Sequence, residues 1–218
     1  MNKAWHNQTT ASVFSAFNSS EQGLEKKEIS SRLKEYGPNK LPEAKADGLF
    51  FVFLRQFQSP LIYVLFFACL IVFAMKEFID GAVILFVLFF NAAVGTIQEG
   101  KAQNTLLALK KFIETTATVV RNGKEIIIPD TEVVPGDIII ITEGDKIPAD
   151  ARIIISNNLK IDEASLTGES EPVDKTAETL KTPSMDILEQ KNMVFKGTHV
   201  VAGKGKAIVV ATGLDTAI

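Results

Sequence analysis

The chain of 218 residues has one cysteine, two histidines and one tryptophan. A single Cys69 excludes an intramolecular disulfide framework, and His6 and His199 have no companions at zinc-ligand spacing. Both histidines are therefore read as structural, and the chain as compatible with a reducing compartment. Clustered Lys and Arg are also missing. With 23 basic and 26 acidic residues the formal charge is -3, which gives no reason to expect nucleic acid as a partner. The polar residues 1–10 lack the basic-then-apolar order of a cleaved signal peptide. No solenoid-period repeat, low-complexity tract or Walker-type glycine loop occurs.

The most informative absence is of charge. Neither residues 56–75 nor residues 81–98 contain a charged side chain, and eleven of the fifteen phenylalanines lie between positions 50 and 90. At 1.5 Å per residue such runs approach the roughly 30 Å of a hydrocarbon core, so two membrane helices at about 56–75 and 81–98 are predicted. Only Lys76, Glu77, Phe78, Ile79 and Asp80 separate them, which makes the pair an antiparallel hairpin. Arg55, Lys101, Lys110 and Lys111 flank one side, so both ends of the hairpin are expected to face the cytoplasm. Asn91, inside the second run, needs a partner in lipid. A hydrogen bond across the hairpin is the expectation, with contact to a transported ion as the alternative. Neither run holds a carboxylate, so an ion's oxygen ligands would lie elsewhere.

Upstream, residues 25–36 form an amphipathic helix stopped by Gly37-Pro38, and Val13, Phe14 and Phe17 suggest another short helix. Trp5 is assigned either to the membrane interface or to this cap, and 44–48 to a linker. Ala102, Leu106, Leu109 and Ile113 continue a helical stripe beyond the second run, as a stalk. After Glu114 the period changes to that of strands. Residues 118–121 and 125–128 flank Asn122-Gly123, a hairpin turn signal, and further strands are predicted at 138–141, 152–155, 194–201 and 207–211. Lys204 and Lys206 around Gly205 are read as a solvated hairpin tip, and 176–183 as a surface loop. The implied fold class is an α+β membrane protein, with a helical cap at 1–48, a transmembrane hairpin with stalk at 49–113 and a β-rich cytosolic domain at 114–218.

Within the last region, Asp162-Glu163-Ala164-Ser165-Leu166-Thr167-Gly168-Glu169-Ser170-Glu171-Pro172 forms an acidic glycine turn. Gly168 permits a bend that a β-carbon would resist, which presents Glu169 at the tip beside the Thr167 and Ser170 hydroxyls. An ionised carboxylate there is a candidate general base for hydrolysis, although on four such residues alone a solvated loop is the stronger reading.

The longer stretch resembles the actuator-domain signature of P-type cation-transporting ATPases, through Gly144-Asp145-Lys146-Ile147-Pro148-Ala149-Asp150 and then the run from Ile161 to Val173. Tyr36-Gly37-Pro38-Asn39-Lys40-Leu41 resembles the cap of the calcium and sodium/potassium branches, and Gln56-Phe57-Gln58-Ser59-Pro60-Leu61 the entry to the first membrane helix. The resemblance covers nearly the whole chain and leans towards the calcium branch. It implies a pump that cycles through an aspartyl phosphate, in which Glu169 orients and deprotonates the attacking water while Thr167, Gly168 and Ser170 shape the loop around the phosphate. It also implies a multi-pass protein of the plasma (inner) membrane, with the lipid bilayer and the absent phosphorylation, nucleotide-binding and ion-binding segments as partners. ATP and Mg are expected of the complete pump, and no cofactor of this segment.

No Asp-Lys-Thr-Gly-Thr sequence is present, so the chain by itself is not expected to turn over ATP. That absence fits a truncation, a split gene product or a deliberate shortening. The alternative function is a non-catalytic, membrane-anchored β domain that binds or regulates another pump.

Overall fold

The computed structural model describes residues 4–41, 48–112, 115–168, 171–182 and 186–217. The chain divides into two compact units, Met1–Glu43 with Glu114–Ile218, and Ala44–Ile113.

In the first unit the β-branched runs build an antiparallel sheet of seven strands. These are β1 (Thr116–Arg121), β2 (Lys124–Pro129), β3 (Ile138–Thr142), β4 (Asp150–Asp162), β5 (Val173–Asp174), β6 (Met193–Val194) and β7 (His199–Ala211), in the order β2-β1-β3-β7-β4-β5 with β6 added to β4. Asn122 and Gly123 turn β1 into β2 with φ of 52° and 70°, the positive values that a tight hairpin requires. Side chains alternate between two cores. Val119, Ile139, Ile141, Ala207 and Val209 face one cluster with Ile153, Leu159 and Ile161. Val120, Ile138, Ile208 and Val210 face the other, which is roofed by residues of the N-terminal segment.

That segment carries α1 (Thr10–Ala16), capped by the Thr9 hydroxyl, and α2 (Lys26–Tyr36), opened by a Glu25–Glu28 capping box and ended by Gly37. Val13, Phe14, Phe17 and Trp5 pack on the second cluster, and the Trp5 and Phe17 rings lie 5.0 Å apart. Trp5 thus belongs to the cap. Arg32 binds the Phe17 and Pro135 carbonyls, and Asn39, fully enclosed, donates to the Asp130 and Pro148 carbonyls. The sequence Tyr36-Gly37-Pro38-Asn39 is therefore a seam that fastens the cap to the sheet.

Two expectations about the sheet are corrected. Lys204, Gly205 and Lys206 are not a hairpin tip: they lie within the 13-residue strand β7, between β3 and β4, with Gly205 opposite Ile141 and Ser156. The glycines serve close backbone approach. A β-carbon on Gly205 would stand 2.6 Å from the Ile155 carbonyl oxygen, and one on Gly203 2.1 Å from that of Asn158, where β4 is bulged. The strand predicted at 194–201 is likewise split, because a turn through Gly197 separates β6 from β7 and Thr198 donates back to the Phe195 carbonyl.

The second unit holds α3 (Leu49–Gln56), α4 (Pro60–Ala74) and α5 (Phe78–Phe112). Helix α5 runs unbroken for 35 residues, about 52 Å, so the predicted second run and its stalk are one rod. Among the described residues it is the one helix long and apolar enough by itself to cross a membrane. The run predicted as a single helix at 56–75 is instead broken after Gln56, with α3 and α4 bent by 65°. Pro60 supplies the reason, since it fits the first turn of a helix and not its interior. Asn91 is exposed on α5 and makes no bond across to α4. Polar ties to α5 come from α3, where Arg55 pairs with Glu99 and Gln56 donates to Glu99 at 2.9 Å, and from α4, where the Cys69 thiol donates to the Gly81 carbonyl at 3.5 Å. Gly81 and Gly95 keep the contact close, with Phe73 and Gln56 filling the space a β-carbon would take.

Candidate functional site

Strand β4 ends at Asp162, and the next residue starts the acidic glycine turn. Asp162 accepts from the Ala164 backbone N–H at 2.9 Å, which tips the chain into a single helical turn, α6 (Ala164–Thr167). Gly168 ends α6 at φ 75° and ψ -2°, with its N–H on the Ala164 carbonyl at 2.9 Å. This left-handed stop costs a residue with a β-carbon about 1–2 kcal/mol. Thr167 does not offer a free hydroxyl, because its Oγ1 donates to the Glu163 carbonyl at 3.2 Å. Of the four residues predicted to form the site, Thr167 and Gly168 are thus placed next to each other at the end of α6. Glu169 and Ser170 lie outside the described residues.

Glu163 is the residue that sequence reasoning missed. It reads as one of several solvated acids, yet it is 2% exposed, and its carboxylate meets the Lys175 ammonium at 2.6 Å. Lys175 is equally enclosed, 5.7 Å from the centre of the Phe195 ring. Burial pushes the Glu163 carboxyl up from its ordinary value and the Lys175 ammonium down, each partly offset by the other's charge. The signal was available in the strand period: Leu159 and Ile161 face inward, and Glu163 continues the alternation.

A second polar group lies where the cap seam meets the Gly144–Asp150 segment. Lys196 Nζ donates to Asn39 Oδ1 at 2.7 Å, and Asp150 accepts from the Lys196 and Ala217 N–H groups. Burial raises the Asp150 carboxyl and lowers Lys196. A cavity of about 190 Å³ opens beside it, lined by Leu41, Thr116, Asp130, Lys146 and Lys196. Arg152, wholly enclosed, reaches the Ile153, Ala177 and Glu178 carbonyls, and burial lowers it to about 10. These contacts fasten Ala177 and Glu178, in the segment between β5 and β6, to β4. Among the described residues no group of three or more His, Cys, Asp or Glu could hold a metal ion.

Two family models match the chain. Residues 5–72 match the cation transporter/ATPase N-terminus, and residues 111–218 the P-type ATPase actuator domain. The chain is 44% identical over 194 residues to a probable cation-transporting ATPase F of Mycobacterium tuberculosis, covering 89% of this chain and 21% of that protein. It is 40% identical over 215 residues to a calcium-transporting ATPase of Bacillus subtilis, covering 98% of this chain and 24% of that protein. With an endoplasmic reticulum-type calcium-transporting ATPase 3 of Arabidopsis thaliana it shares 39% identity over 208 residues, 90% of this chain and 21% of the relative. The chain thus spans between a fifth and a quarter of the length of these relatives.

Proposed function

Because the chain belongs to the P-type cation-transporting ATPases, we propose that its actuator domain promotes hydrolysis of an aspartyl phosphate carried on polypeptide outside these 218 residues. Glu169 orients the attacking water and takes its proton, Gly168 and Thr167 shape the approach, and Ser170 adds a hydrogen bond. The observation that supports this most is the left-handed Gly168 stop on α6, directly before Glu169 and anchored to the sheet through Glu163. A catalytic carboxylate works only when held in a defined geometry, and a short helix anchored through Glu163 gives the residue after Gly168 a fixed starting point. Replacing Glu169 with Gln in the complete pump and following phosphoenzyme decay tests this role.

In this proposal the chain comprises a cytosolic cap at 1–48, a membrane hairpin with stalk at 49–113 and the actuator domain at 114–218. Helix α5 is one span and the bent α3–α4 pair the other, in the plasma (inner) membrane, with cap and actuator cytoplasmic. The apolar, largely exposed surface of Phe78–Leu107 supports a lipid environment, since about 20 apolar residues suffice to span it. The unbroken α5 would carry actuator rotation into the bilayer as a rigid lever. Relatives named as calcium-transporting support calcium as the ion. Segments that bind ATP with Mg, accept the phosphoryl group and hold the ion would complete the machine.

A further inference from the structure

We propose that the buried Glu163–Lys175 ion pair is a positioning device, which fixes α6 and Gly168 on the sheet so that the residue after them reaches the phosphoenzyme at one height. The proposal rests on the reading that Glu169 acts in hydrolysis.

Helix α6 is only four residues long. Four residues cannot hold a helical turn in place by themselves, because nucleating a helix fixes several dihedral angles for a single hydrogen bond. The turn is held from outside, and its polar anchor is one residue. The Glu163 carbonyl accepts from Leu166 N at 2.8 Å, Thr167 N at 3.0 Å and Thr167 Oγ1 at 3.2 Å. The position of Glu163 therefore sets the position of Thr167 and Gly168.

Glu163 is in turn held by its side chain. Lys175 is a fixed partner: its N–H donates to the Leu159 carbonyl at 2.9 Å, and its own carbonyl accepts from Ser156 Oγ at 2.7 Å. Two points on β4 thus hold the lysine, and the lysine holds the glutamate across a 2.6 Å contact. Leu166 adds an apolar anchor in the cluster that contains Phe195.

Burial alone does not explain these residue types. Removing two charges from water costs several kcal/mol per ion before their attraction offsets it, and an apolar pair of similar volume is often as stable or more so. An ion pair has what an apolar pair lacks, a preferred separation: Glu163 Oε1 and Lys175 Nζ stand 2.6 Å apart, and neither atom has another hydrogen-bond partner among the described residues. Arg121 and Asp137 show the contrast within this domain: there the carboxylate also accepts the Val134 N–H and the guanidinium also reaches the Glu132 carbonyl, so that pair is woven into the sheet and not into the turn.

The test uses E163Q, K175M, the double variant E163M/K175M, E163D and E169Q. Each is measured twice: by amide hydrogen exchange at Leu166, Thr167 and Gly168 in the purified 218-residue chain, and by phosphoenzyme decay in the pump that carries this segment. The double variant replaces the pair by apolar side chains of similar volume, so its thermal midpoint should stay near that of the parent. Its three amides should nevertheless exchange about tenfold faster and its phosphoenzyme decay about tenfold more slowly, within the roughly hundredfold that a 1 Å misplacement of a reacting group can cost. E163D, which keeps the charge but draws it back by one methylene, should show the same two changes at smaller size, and it decides the matter if the double variant does not fold. Parental exchange in the folded variants overturns the proposal. So does fast exchange with parental decay, if E169Q itself slows decay. If E169Q decays at the parental rate, the role of Glu169 has failed, and the exchange measurement alone decides whether the pair positions α6.

Discussion

Arg121 holds Asp137 through two parallel hydrogen bonds, Nε to Oδ1 at 2.9 Å and Nη2 to Oδ2 at 2.7 Å, with both side chains shielded from water. The pair ties the end of β1 to the turn before β3. Removing one partner leaves the other buried and unpaired, so Asp137→Ala should cost about 3–5 kcal/mol. Equilibrium unfolding followed by the fluorescence of Trp5, the single tryptophan and a member of the same unit, measures it. A loss below about 1 kcal/mol would mean that the pair is solvated in solution.

Gly203 adopts φ 79° against the bulge of β4, with the Asn158 carbonyl oxygen 2.1 Å from where a β-carbon would sit. Gly203→Ala should destabilise the domain by at least about 2 kcal/mol, through left-handed strain and the clash together. Ala at Gly144, where φ is 89° but the space is open, should cost only the strain. Equal losses at the two sites would argue against the continuous strand β7.

The two single variants of the buried pair should respond to pH in opposite directions. In K175M the Glu163 carboxyl loses its counter-charge and rises further above its ordinary 4.5. The native state then holds its proton more tightly than the unfolded chain, so the stability deficit is small below about pH 4.5 and grows as pH rises through the native value. In E163Q the Lys175 ammonium falls further below its ordinary 10.5, and the deficit is largest at low pH and shrinks as pH rises towards that value. Denaturant midpoints between pH 4 and pH 10 check both slopes, and parallel profiles would contradict the ion pair.

The proposed topology makes two labelling predictions. Cys69, buried between α4 and α5 beside the Gly81 carbonyl, should resist a membrane-impermeant maleimide until the protein is unfolded. In a Cys69→Ser background, Glu77→Cys should label only from the outer side and Asn122→Cys only from the cytoplasmic side. Labelling of both from one side would exclude the hairpin.

Features encoded in neighbouring residues were legible in the sequence. The β1–β2 hairpin follows from Asn122-Gly123, α2 from its apolar stripe and the Gly37-Pro38 stop, and the left-handed Gly168 from its place in the turn. Features set by distant contacts were not. Gly203 and Gly205 look like turn residues until the bulged β4 is laid beside them, and only the fold supplies that neighbour. The break before Pro60 was masked by the uniform apolarity of the run around it, although proline at a first helical position is a local signal. Glu163 stands between the two cases: it sits among acids in sequence, and the inward period of Leu159 and Ile161 marks it once β4 is known to run to Asp162.

Phosphoenzyme decay in the complete pump measures directly whether Glu169 serves the hydrolysis of an acyl phosphate. With Glu169→Gln the phosphoenzyme should form at the parental level and then decay at least about a hundredfold more slowly, because a carboxamide is a poor base. A phosphoenzyme that forms and decays at the parental rate would contradict that role.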